Sequence, residues 1–351
     1  MREFKFNGLQ ITPSMLKLIA EIDEFRGMWK AGRSPAPDRL DSLRRVATIE
    51  SVGSSTRIEG ARLGDREVEA LLSNIDPASL QTRDEQEVAG YAEVMELVFE
   101  SHEHIPLTEN LIKQLHRDLL IHSSADARHR GQYKAHNNHV EAFDESGRSL
   151  GVVSETATPF ETPLRMGELL AWFETETAQN ELHPLLIAAV FSVVFLAIHP
   201  FQDGNGRLSR ILTTLLLLKA GYTHVLYSSL ETIIEQRKDA YYLALRKTQS
   251  SLDTTHIQYR PWIEFFLQSL HQQKERLHQK LTQEKLLEAS LPKLSLQILT
   301  HIQNHERASV ADLATITQTS RNTIKDHLKR LVHSNQLARH GKGRGTWYSL
   351  G

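Results

Sequence analysis

Two apolar runs, Pro184 to Ile198 and Leu208 to Leu218, flank one polar stretch. It reads His199-Pro200-Phe201-Gln202-Asp203-Gly204-Asn205-Gly206-Arg207-Leu208-Ser209-Arg210. The first run has almost no polar side, so it reads as a helix buried on every face, at the centre of other helices. The polar stretch is then an interhelical loop, with Arg207 and Arg210 in the first turn of the second helix. A helix N-terminus offers unpaired N–H groups and the positive end of a dipole, so phosphate is its natural ligand. Gly204 and Gly206 let the backbone approach an anion closely and turn its amides inward.

The loop carries the groups such a ligand needs. His199 is the one residue in it whose ordinary pKa, roughly 6.5, suits proton abstraction at neutral pH. Asp203 is a hard oxygen ligand suited to Mg²⁺ on nucleotide phosphates, or else a cap for the following helix. Asn205 and the amides around Gly204 and Gly206 can bond phosphate oxygens, and Arg207 and Arg210 can clamp further phosphates. Phe201 reads as a core plug anchoring the loop. No hydroxyl or thiol sits in an activated position, so the attacking group must arrive on the substrate.

This stretch resembles the Fic family signature, H-x-F-x-[DE]-G-N-G-R-x-x-R, at every fixed position. The resemblance implies a mostly α Fic-type core with a β-hairpin flap. It also implies transfer of AMP from ATP to a Ser, Thr or Tyr hydroxyl of a target protein, or of the protein itself, with pyrophosphate leaving. His199 is then catalytic, Asp203 holds Mg²⁺, and Gly204, Asn205, Gly206, Arg207 and Arg210 bind nucleotide. A homodimer is a further expectation from the subclass. Two rival functions remain: a nucleotide-sensing, DNA-binding transcription regulator, and another Fic-type phosphoryl-group transfer. The intact G-N-G-R argues against the phosphorylating branch.

A second motif precedes the core. Ser55-Thr56-Arg57-Ile58-Glu59-Gly60 ends a helical pattern of about residues 38–60, with Ser55 and Glu59 four apart on one face. It resembles the inhibitory [ST]-x-x-x-E-[GN] motif of Fic proteins. That resemblance implies an ion pair from Glu59 to Arg210 in the space the ATP γ-phosphate needs. Gly53, costing roughly 1 kcal/mol of helix propensity, suggests a segment that is easily displaced.

The remaining pattern is helical through residue 290. Met15, Leu18, Ile22, Phe25 and Trp29 line a first helix, and Leu40, Leu43, Val46, Ile49 and Val52 a second that Gly60 ends. Tyr91 to Phe99, Ile112 to Leu120, Leu164 to Phe173, Ile233 to Leu245 and Trp262 to about Leu287 continue it. The exception is Gly131 to Val153, where Asp144-Glu145-Ser146-Gly147 places a turn between extended segments. In Fic proteins a flap here registers the target by strand addition, and Gly131-Gln132-Tyr133 and the segment around His139 fit it loosely.

Charge separates the C-terminal end. Residues 291–351 carry nine Lys/Arg against three Asp/Glu, +6, while the rest of the chain is −8. The expected domains are therefore 1–105, 106–290 and 291–351. Capping serines at Ser309 and Ser320, inward Ile324, Leu328 and Leu331, and a hairpin from Leu337 to Leu350 resemble a winged helix-turn-helix. Arg321, Lys325 and Lys329 on its third helix, with Lys342 and Arg344 on the wing, make DNA a candidate partner; the same fold also serves as a protein-docking module. The chain has no cysteine, its start has no apolar signal, and Leu185 to Ile198 is short of the roughly twenty residues a membrane span needs. A cytoplasmic protein with no membrane partner is the expectation.

Overall fold

The structure is a computed structural model describing residues 9–31, 37–73, 75–143, 149–252, 254, 257–290, 292–305, 307–334 and 336–350. The chain divides after Leu277 into two compact units. The division falls inside a long helix, upstream of the change in charge at residue 291.

The first unit is helical except for one hairpin. Its elements are α1 (Pro13–Lys30), α2 (Pro37–Ile58), α3 (Asp65–Leu72), α4 (Arg83–Ser101), α5 (Glu109–Leu119), β1 (His139–Phe143), β2 (Ser149–Glu155), α6 (Thr162–Gln179), α7 (Pro184–Ile198), α8 (Asn205–Lys219), α9 (Leu230–Gln236), α10 (Lys238–Gln249) and the start of α11 (Arg260–Ser290). Helix α7 is central, with α6, α8 and α10 packed around it, which is why it tolerates no polar face. Phe191, Phe195 and Val194 are fully buried, and burial of each such side chain contributes about 1.5–3 kcal/mol. Trp262 on α11 donates its indole N–H to the Ala189 carbonyl of α7 at 2.6 Å, so the aromatic body is buried with its polar edge satisfied.

Three sequence expectations change. Ile233 to Leu245 is two helices, not one, because Arg237 (φ −120°, ψ 31°) breaks the chain between α9 and α10. Helix α3 had no counterpart in the apolar pattern, and only its Val68 is buried. Val46 and Leu164, assigned to inner faces, are exposed, because α2 and α6 bury narrower stripes than their full apolar content. Gly60 does sit just past the end of α2, at φ +107°, a backbone state that favours glycine. Strands β1 and β2 pair antiparallel from His139↔Glu155 to Phe143↔Ser149, with irregularities after Val140 and Ala142. The expected turn at residues 144–147 lies outside the described residues.

The second unit holds α12 (Lys293–His305), β3 (Ala308–Ser309), α13 (Val310–Ile316), α14 (Arg321–His333), β4 (Leu337–His340) and β5 (Trp347–Leu350), with sheet order β3-β5-β4. Its core is Ile298, Ile302, Leu313, Ile324, Leu328 and Leu331. On α12 the fully buried apolar positions are Ile298 and the expected Ile302, with the expected Leu296 only half-buried. Ser309 and Asp312 form a reciprocal capping box that starts α13, and Ser320 caps α14. This is a winged helix-turn-helix. Among the described residues no helix is long and apolar enough to cross a membrane.

Candidate active site

Helix α7 stops at His199, whose φ of 52° puts a non-glycine residue in the left-handed region while its N–H still bonds Phe195 O at 2.9 Å. Such strain persists only where the surroundings over-determine it. Here they do. Phe201 is fully buried and stacks on the His116 ring at 3.8 Å between centroids, 11° from parallel. The Asn205 amide accepts from Phe201 N at 2.9 Å and donates to Phe201 O at 2.8 Å. Gly204, at φ +77°, then starts α8. The expectation that the Asn205 side chain reaches phosphate is therefore amended: both ends of its amide are engaged in stapling the loop. Arg210 likewise sits in the second turn of α8 rather than the first.

Asp203 is not the cap of α8. Its Oδ1 accepts from Gly204 N at 2.6 Å, while Gly204 itself holds the capping position. Burial would raise its carboxyl pKa, but the Arg207 charge, the Gly204 N–H and Arg83 outweigh burial and hold it below the ordinary range. Arg207 is only 2% exposed, pairs with Glu87 at 3.0 Å and Asp203 at 3.5 Å, and keeps a buried Nε without a hydrogen-bond partner. Arg210 donates to Ser55 Oγ at 2.8 Å, to the Ser55 carbonyl at 2.9 Å and to Glu59 Oε1 at 2.8 Å. Burial disfavours its charge, and Glu59 more than restores it. A Cβ added at Gly206 would overlap the Glu59 carboxylate. Glu59 thus occupies the place over the α8 N-terminus where an external anion would sit.

The His199 ring titrates at about 4, pulled down first by burial and then by the Lys134 charge, with Glu59 and Asp203 opposing. The imidazole is therefore neutral at physiological pH. It shares a cavity of ≈ 470 Å³ with Glu59, Glu87, Asp203, Gly204 and Arg207.

Several positioning residues escaped the sequence reading. His116 accepts from Gly131 N–H at Nδ1 (2.8 Å), which leaves the ring proton on Nε2, donated to the Asp203 carbonyl at 3.0 Å. Burial lowers its pKa to about 4, so this tautomer persists. A histidine on the apolar face of α5, beside Ile112 and Leu115, was the available signal. Lys134 is 3% exposed, and among the described residues its ammonium bonds neutral acceptors: Asn138 Oδ1 at 2.9 Å, Thr156 Oγ1 at 2.9 Å and the Ile198 carbonyl at 3.1 Å. Burial lowers its pKa to about 8. Asn138 and Thr156 flank the hairpin, and Asn138 also donates to Phe201 O at 2.7 Å. The base of the hairpin and the His199 loop are therefore one hydrogen-bonded assembly.

The end of α2 is held from behind. Arg57 makes a two-pronged pair with Glu235 of α9 (2.7 and 3.0 Å) and bonds Asp65 at 2.9 Å, and Ser54 bonds Thr232 at 3.0 Å. A Cβ at Gly53 would lie 2.7 Å from Arg57 Nη1 and 3.0 Å from Asp65 Oδ1. Gly53, expected to loosen α2, instead makes room for the arginine that ties it down.

In the second unit, Arg321, Lys325 and Lys329 of α14 and Arg339 of β4 line one groove of ≈ 760 Å³. Lys342 is exposed at the wing tip; the Arg344 side chain lies outside the described residues.

A left-handed histidine closes a buried helix, Gly204 opens the next helix beneath the Glu59 carboxylate, and the same chain holds a winged helix-turn-helix. Residues 106–217 match the Fic/DOC family and residues 291–335 match winged helix-turn-helix DNA-binding. Residues 106–217 are thus similar to the Fic/DOC family. It is 26% identical over 264 residues to "Protein adenylyltransferase Fic" of Drosophila mojavensis, covering 70% of this chain and 48% of that protein. It is 27% identical over 263 residues to the protein of that name from Drosophila melanogaster, covering 70% and 49%. The chain thus spans about half the length of the curated relatives it matches. Its fold is similar to a Fic family protein from Desulfovibrio desulfuricans, with TM-score 0.63 and 23% identity, over 100% of this chain and 98% of that one. It is also similar to a Fic domain containing signaling protein from Bacteroides thetaiotaomicron, with TM-score 0.58 and 22% identity, over 73% and 94%.

Proposed function

We propose that the protein is an adenylyltransferase that moves AMP from ATP to a protein hydroxyl and is held inactive by Glu59. The observation that carries this reading is a neutral His199 at the mouth of an anion seat plugged by a carboxylate. With Glu59 withdrawn, Arg210, the first N–H groups of α8 and Arg207 present positive potential to the phosphates. His199 takes the proton of the incoming hydroxyl as its oxygen bonds the α-phosphorus. The bond from that phosphorus to the bridging oxygen breaks, and pyrophosphate departs with the electron pair.

Asp203 fits a divalent cation in one respect: it is a single ionised carboxylate at the seat, and Mg²⁺ is commonly held by one or two carboxylates plus substrate phosphates. No group of three or more His, Asp or Glu suited to a metal occurs among the described residues, so the nucleotide must supply other ligands. Mg²⁺ bound there offsets phosphate charge. Incubating the Glu59→Gly variant, released from the brake, with ATP labelled on either the α- or the γ-phosphate tests the reaction. Label from the α-phosphate alone, on protein, is expected; label from γ, or none, would overturn the proposal in favour of phosphorylation or nucleotide sensing.

The basic groove of the second unit favours one further activity, binding of duplex DNA. Each phosphate contacted adds about −0.9 to the slope of log affinity against log salt. Replacing Lys325 and Lys329 by Ala in the full chain should flatten that slope by up to roughly two units, measured by fluorescence anisotropy. No binding even at low salt would assign the unit to protein docking instead.

A further inference from the structure

Four charges close a ring at the cavity mouth. Arg83 Nε bonds Glu87 Oε1 at 2.9 Å, Glu87 Oε2 pairs with Arg207 Nη1 at 3.0 Å, Arg207 Nη2 lies 3.5 Å from Asp203 Oδ1, and Arg83 Nη2 bonds Asp203 Oδ2. The ring is neutral, and it covers both oxygens of Asp203. Its two arginines differ in kind. Arg207 is buried within α8, whereas the Arg83 side chain is 59% exposed and reaches Asp203 across 120 residues of sequence.

Arg83 is also badly placed for its own helix. It is the first residue of α4, where the capping box of Thr82 and Glu85 already satisfies the N-terminus and where a cation opposes the dipole. The helix terminus itself therefore does not call for a cation there; Arg83 meets Glu87 one turn on and reaches Asp203 outside its own helix. A divalent cation bonded to Asp203 Oδ2 competes with the Arg83 guanidinium on that oxygen, because two positive charges would then face each other in a partly dry cavity.

We propose that Arg83 is a placeholder at the cation site: it neutralises Asp203 in the nucleotide-free protein and must be displaced when a divalent cation arrives with the nucleotide. Glu87 keeps the displaced guanidinium tethered at the mouth, so the exchange is reversible. This rests on the reading of Asp203 as the cation ligand. Arg83 is a positioning residue, and its effect is on how much Mg²⁺ the site needs.

The test is binding of a fluorescent ATP analogue to the full chain across a Mg²⁺ series, for wild type, Arg83→Met and Asp203→Asn. Arg83→Met keeps an apolar stem without the charge, and melting curves check its fold. The Mg²⁺ midpoint for nucleotide binding is expected to fall roughly tenfold, the scale of one charge-assisted hydrogen bond lost from the competing state. Affinity in EDTA should stay near wild type. An unchanged midpoint overturns the proposal, and so does an equal loss of affinity with and without Mg²⁺, which would make Arg83 a phosphate ligand. Asp203→Asn should abolish the Mg²⁺ dependence. If it does and Arg83→Met shifts nothing, only the placeholder fails. If Asp203→Asn keeps the wild-type dependence, or no variant binds nucleotide, the underlying site reading fails with it.

Discussion

His199→Ala is expected to lower AMP transfer by ~10²–10⁴-fold, the range for loss of a positioned general base, while nucleotide affinity stays close to wild type. The separation follows from the proposed site, in which the α8 N-terminus, Arg207 and Arg210 are assigned to phosphate and the imidazole is not. Alanine at a left-handed position adds strain, so His199→Asn is the companion variant, because asparagine tolerates that conformation better. Intact-mass measurement of self-modification reads the loss, and a fluorescent nucleotide reads the affinity. Retention of near wild-type transfer in both variants would remove His199 from the chemistry.

The same residue predicts a pH profile. Its free-enzyme pKa lies at about 4, depressed by burial and by Lys134, so the base is fully competent above about pH 5 and fails as pH falls through that value. An unperturbed imidazole would already lose activity near roughly 6.5. The rate under subsaturating substrate should therefore be flat from pH 8 to 6. A titration near 6.5 would mean that the ring is better solvated than the structure has it, or that another group limits the rate.

What the sequence made legible was local. The His199–Arg210 loop declared itself because every functional group lies within one turn of its neighbours, and the flanking apolar runs left only buried helices as the alternative. The winged unit was legible for the same reason: serine caps, an apolar stripe and a charge change are all short-range signals. Long-range pairings left no such trace. Arg83 meets Asp203 and His116 meets the Asp203 carbonyl through packing of α4 and α5 against the loop, and no periodicity records which residues will face each other. Lys134 was hidden because a lysine ordinarily signals a solvated surface, whereas here three neutral acceptors replace water. Gly53 shows a subtler failure. Propensity marked it as a weak point, but the missing side chain is filled by Arg57, so tertiary contact reversed the sign of the inference.

Glu59→Gly should raise AMP transfer by roughly 10–100-fold, because truncation removes a charged hydrogen bond worth ~1.5–3 kcal/mol that competes directly with phosphate for Arg210. The arginine does not lose its place, since Ser55 still accepts from Nε and Nη2, and α2 stays tied to α9 through Arg57 and Glu235. What changes is the anion seat: with the carboxylate gone, the space above Gly206 opens to an external phosphate. Apo protein should melt lower, since a buried guanidinium is left without its counter-charge, and ATP should recover more of the melting temperature than it does in wild type. Glu59→Gln separates charge from bulk, and an intermediate gain is expected because the amide still fills the seat but no longer neutralises Arg210. Arg210→Ala in the Glu59→Gly background should erase most of the gain, since the opened seat then lacks the arginine that Glu59 had occupied. Flat activity in a folded Glu59→Gly protein would reduce the Glu59–Arg210 pair to an ordinary ion pair between two helices.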